Sequence, residues 1–181
     1  MRAAVRGYRA AMATGAPRGG VPTGRAAPGL GAPGILLGVG LGGFVDGILL
    51  HQVLQWHHLV SHTERWPTTT VRGLEINVLA DGLFHLGALA AVVAGLVLLW
   101  RAARRSAARR PPRVLAGWIL VGWGLFNLVE GVVNHHVLDI HNVRDDVDTA
   151  WPWNVGFLGL SAVLVLTGRR LTRVRGARHS G

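Results

Sequence analysis

Asp46, His51 and His57, and again Glu130, His135 and His141, are carboxylate and imidazole residues set in stretches otherwise apolar enough to cross a bilayer. They repeat one pattern. Asp46-Gly47 falls on Glu130-Gly131, His51 on His135 and His57 on His141, each 84 residues on (46 to 130, 51 to 135, 57 to 141), so [Asp/Glu]-Gly-x3-His-x5-His occurs twice. At the same offset Gly38 falls on Gly122 and Gly40 on Gly124. An ionisable side chain facing hydrocarbon costs several kcal/mol, so these residues are expected to face the interior of a helix bundle and to bind or relay something. With no cysteine, and Met1 and Met12 the only thioethers, the ligand set suits a metal ion such as Fe, Cu(II) or Zn rather than a Cu(I) carrier built on soft sulfur.

Asn77, Asp81 and His85, spaced i, i+4, i+8, share one stripe of a second helix and bring further candidates to the same level. The ligands expected first are Asp46, His51, His85, Glu130 and His135, with Asp81, His57 and His141 as supporting partners or a neighbouring site. On a regular helix, residues five apart point about 140° from each other. Asp46 and His51 therefore require either two adjacent sites or a π-bulge near Gly47 or Gly131. His57 and His141, at the ends of their helices, are expected roughly 16 Å above Asp46 and Glu130. Three rival readings use the same residues: a haem between His51 or His85 and His135, with three carboxylates in costly proximity; a proton or cation pathway; and hydrogen bonds that only pin helices together. No HExxH element is present, so the signal lies in the constellation and not in a compact motif.

These residues need long apolar helices to position them. Half of the 181 residues are hydrophobic and the mean hydropathy is +0.34, which points to a small polytopic membrane protein. Four apolar segments, near 35–60, 74–100, 114–138 and 153–171, predict an all-α bundle of four spanning helices made from two tandem hairpins. Laying Phe157 on Phe84 puts Asn154 on Asp81 and Leu158 on His85, so the fourth helix is expected to carry little chemistry. The net charge of +10 comes entirely from arginine, concentrated in the tails and the 101–113 loop. That is the distribution of topogenic charge, not of a nucleic-acid binder, and it predicts both termini in the cytoplasm. Residues 1–33, rich in Ala, Gly, Pro and Arg, are expected to form a disordered basic tail, with a second basic tail at 172–181.

GVGLGGFVDGILLHQVLQWHHLVS, NVLADGLFH and GWGLFNLVEGVVNHHVLDIHNV together resemble the bacterial membrane-protein family called domain of unknown function 2243, over roughly Gly34 to Gly168. The resemblance implies a four-helix protein of the bacterial inner membrane and carries no established activity. In their His-rich small-bundle character such proteins are similar to factors that assist terminal-oxidase assembly, which implies the lipid bilayer and respiratory-chain or oxidase-assembly proteins as partners.

Overall fold

The computed structural model describes residues 29–105 and 111–173, so most of both tails lies outside the described residues. Four helices account for most of it: α1 (Gly31–Val53), α2 (Val71–Arg105), α3 (Pro112–Val137) and α4 (Trp151–Thr172). Each is long and apolar enough to cross a membrane. The closely packed pairs are α1 with α2, α1 with α3 and α3 with α4, which sets the helices in the order α2, α1, α3, α4 with α1 and α3 at the centre. Half of the most apolar window of α1 is buried, against 11% for α2 and for α4, whose other faces present leucine and valine outward.

Glycine sets the spacing of the central pair. A Cβ at Gly38 would run into the Ile119 carbonyl oxygen, and one at Gly122 into the carbonyl of Ile35, so each helix lies on the other's bare backbone. These are equivalent contacts, since Ile35 and Ile119 are also 84 residues apart. The flanking helices dock the same way: a Cβ at Gly40 would meet the Ala88 carbonyl at 2.6 Å, and one at Gly124 that of Ser161 at 2.7 Å.

Both central helices widen at the end that carries the histidines. Residues Val45–Val53 of α1 and Val133–Val137 of α3 form π-turns, the bulge expected from the sequence. The chain then reverses. Leu54 N–H bonds back to Leu49 O at 2.8 Å and Trp56 N–H to Leu50 O at 3.0 Å; Leu138 to Val133 and Ile140 to Asn134 repeat this at 2.7 and 3.0 Å. Gln55 (φ 52°) and Asp139 (φ 49°), again 84 apart, take the left-handed conformation that turns the backbone round. The first span therefore stops at Val53 and not near residue 60, and the residues after it fold back over the bundle. This corrects the expected 16 Å separation, because a straight helix would carry His57 and His141 away whereas the reversal tucks them inward. The two folded-back segments exchange bonds, His62 N–H to Ile140 O at 3.0 Å and Asp145 N–H to Trp56 O at 2.9 Å.

Candidate metal centre

The π-turns settle where the five-residue pairs point. With the extra residue per turn, His51 Nε2 lies 3.3 Å from Asp46 Oδ2, and His135 Nε2 lies 2.9 Å from Glu130 Oε1. The reversals add a third member to each pair, as His141 Nε2 comes to 2.7 Å from Glu130 Oε1 and His57 packs on His51 with ring centroids 4.5 Å apart. Two triads result, Asp46/His51/His57 and Glu130/His135/His141, each with three potential ligand atoms within 4.8 Å of one another and all six residues buried. They adjoin. The His57 and His141 rings stack at 4.6 Å and are nearly parallel, at 3°.

Each outer histidine is braced by the opposite half of the chain. His57 Nδ1–H donates to Val143 O and His141 Nδ1–H to Leu59 O, both at 2.9 Å, and Leu59 and Val143 are themselves 84 apart. A carbonyl oxygen only accepts, so this network places the proton on Nδ1 and turns Nε2 of both rings, the ligating nitrogen, toward its triad. On α2, Asp81 accepts from His51 Nδ1 (2.9 Å), His58 Nδ1 (2.6 Å), Leu59 N (2.9 Å) and Gln52 Nε2 (3.1 Å). It thus orients His51 as a carboxylate orients a metal-bound imidazole. On α4, Asn154 stands in the corresponding place: its Oδ1 takes Val143 N–H at 3.0 Å while its amide donates to Asn142. No carboxylate stands behind His135 on its Nδ1 side, and that nitrogen is buried without a hydrogen bond among the described residues. Phe84 stacks on His51 at 5.7 Å, and Phe157 lies 5.5 Å from His135.

His85 stands apart from both triads. Its Nδ1–H is spent on the Asp81 carbonyl of its own helix at 2.7 Å, and its ring rests beside Phe44 and against Gly47. Conversely, His58 and Gln52 belong to the Asp81 network, which neither residue's place in the sequence announced. The Leu59 and Val143 carbonyls were legible in principle, since they obey the 84-residue offset.

Several ligating atoms of the triads make no hydrogen bond, although His51 Nε2 and His135 Nε2 each face a carboxylate oxygen. His51 Nε2, His57 Nε2, both ring nitrogens of His135 and Glu130 Oε2 are buried and make no hydrogen bond among the described residues. A buried polar atom left without a hydrogen bond costs about 1–3 kcal/mol, so a cluster of them is a candidate ligand site. The imidazole nitrogens and carboxylate oxygens of each triad lie close enough together that they could hold a metal ion. A recess of about 560 Å³ lined by Gln55, His57, His58, Ser61, Asp145 and Asp146 among others connects this end of the molecule to His57.

Burial, followed by the neighbouring His141 and His51 imidazoles, pushes His57 down to about 2. The fold therefore favours its neutral form. Its contribution to stability is complete above the unfolded value near 6.5 and declines as pH falls from there toward 2. At pH 5 the loss reaches about 2 kcal/mol. Thermal midpoints of metal-free protein in detergent should fall between pH 7 and pH 5, and less so in His57→Asn, whose amide keeps the bond to Val143; equal falls would remove His57 as the cause.

Fold and site define a small helical membrane protein with a buried, duplicated histidine and carboxylate cluster. The chain belongs to the family described as predicted membrane protein (DUF2243), whose profile covers residues 33–175. No curated protein and no solved structure matches it.

Proposed function

We propose that the protein is a metal-dependent membrane protein whose two triads each hold an ion through two histidines and one carboxylate. The observation that carries this is the convergence of buried ligand atoms that make no hydrogen bond on one place in each half, supported by the Nδ1 bonds that aim Nε2 of His57 and His141. Asp46, His51, His57, Glu130, His135 and His141 are the ligands on this reading, with Asp81 orienting His51 and His85 left outside. Two histidines and a carboxylate with open positions suit non-haem Fe(II) or a catalytic-type Zn, and Cu(II) also accepts such donors. Bound there, such an ion would supply Lewis-acid or redox chemistry. For a haem held between His51 and His135, Nε2 of each ring already faces a carboxylate, Asp46 at 3.3 Å and Glu130 at 2.9 Å, which favours ions over haem.

On this reading the protein sits in a bacterial inner membrane; the arginine distribution supports both termini inside, and with that orientation the triads lie in the outer half. A buried site near the outer face and reached by a polar recess suits redox work or ion transfer to a respiratory-chain or oxidase-assembly partner. Elemental analysis of detergent-purified protein, after reconstitution with Fe(II), Zn(II) or Cu(II) in turn, is expected to find two ions per chain and an optical spectrum without a Soret band. Absence of stoichiometric metal with all three would sink the proposal.

A further inference from the structure

A second cavity, of about 530 Å³, lies in the cleft between α1 and α4 with α3 as its floor. Val45, Leu49 and Leu160 line it and are 40%, 43% and 55% exposed, so its mouth opens sideways on the apolar girdle of the bundle rather than toward water. Its walls include the indoles of Trp56, Trp123 and Trp153. Nearly everything in it is apolar, with two exceptions at the inner wall: Asp46 and Asn127. Asn127 is 4% exposed and lines the cleft, and its amide is not among the fully enclosed atoms left without a hydrogen bond, so what access it has is to the cleft. An amide facing an otherwise apolar cleft is more favourable when something entering the cleft hydrogen-bonds to it.

We propose that this cleft binds a membrane-soluble phenol or hydroquinone, a flat ring carrying hydroxyl groups with an apolar tail that leaves through the mouth into lipid. The carboxyl oxygens of Asp46 can accept a hydrogen bond from a ligand hydroxyl. Asn127 offers both a donor and an acceptor to the same ring. Flat indole walls favour an aromatic head over a flexible chain, and a volume of this size lies within the usual range for small-molecule sites. Asp46 belongs to the first triad as well, so a bound ring would lie against the proposed ion. The binding rests on the cleft's own residues and does not require the ion.

Gly156 gives the test. It lines the cleft and a Cβ there would meet nothing within 4 Å, so Gly156→Leu fills the space without disturbing helix packing. Gly159 on the same helix is equally open but is no part of the cleft, which makes Gly159→Leu the control. Labelled decylhydroquinone and decylbenzene would be bound to the full chain in phospholipid nanodiscs, with metal content measured in parallel. Decylhydroquinone is expected to bind at least about ten-fold more tightly than decylbenzene, which has the same ring and tail without hydroxyls. Gly156→Leu should cost at least about ten-fold, Asn127→Leu should bring the two compounds close to each other, and Gly159→Leu should change nothing. Metal content should stay unchanged in the Gly156 and Gly159 variants. Equal binding of the two compounds, or undiminished binding in Gly156→Leu, would overturn the proposal whether or not metal is present.

Discussion

Asp46→Asn and Glu130→Gln are each expected to lose the ion from their own triad, with affinity falling by more than about 100-fold, since even carboxylates that only orient a ligand matter by about 10- to 100-fold. The substitutions keep volume and remove a charge from a buried site. If the clusters only pinned helices, both variants would fold as well as the parent or better, with metal content unmoved. If they hold ions, metal drops from two equivalents toward one in either variant while helicity and expression persist. His62→Ala belongs in the same experiment as a control, because His62 is half exposed and lies outside both triads. Unchanged stoichiometry in both carboxylate variants would reduce the constellation to packing.

Gly38→Leu and Gly122→Leu are expected to prevent assembly of the bundle, and even the alanine variants should cost about 1–3 kcal/mol each. The obstacle at each position is the carbonyl of the opposite helix, Ile119 or Ile35, so no rotamer change relieves it. The helices would have to separate. That would drag apart His57 and His141, each of which is held by a carbonyl from the other half. Gly82 and Gly87 on α2, where a Cβ meets nothing within 4 Å, should accept alanine at no cost. Thermal unfolding in detergent, followed by circular dichroism, separates the two classes; similar midpoints for Gly38→Ala and Gly87→Ala would show that the close crossing does not limit stability.

Much of this arrangement was legible in the chain because it is written twice. Long apolar runs announce the helices, and an acid, a glycine and two histidines recurring at one offset identify the chemical positions. The widened turns also followed from the sequence, since Asp46 and His51 at i+5 could not share a face on a regular helix. The chain reversals did not. Their left-handed residues are Gln55 and Asp139, not glycine, and apolar residues continue through Leu59 and Val60, so hydropathy alone carries the first helix too far. Every role that depends on the reversal was hidden with it: His57 and His141 read as distant, and the part of His58 in the Asp81 network did not show. His85 erred the other way. Its spacing from Asp81 puts it on the right stripe, but a histidine four residues after a carbonyl of its own helix can spend its Nδ1 there, and spacing does not reveal that.

Asp81 beside His51, and only an already engaged Asn154 at the matching place near His135, make the two halves chemically unequal despite their common plan. An imidazole backed by a carboxylate is the more basic donor. On the proposed reading the triads fill in order, Asp46/His51/His57 before Glu130/His135/His141. A cell short of metal would then hold a uniform population of half-loaded chains with the same half occupied, and the later site, being the looser of the two, is the one from which an ion would be handed on.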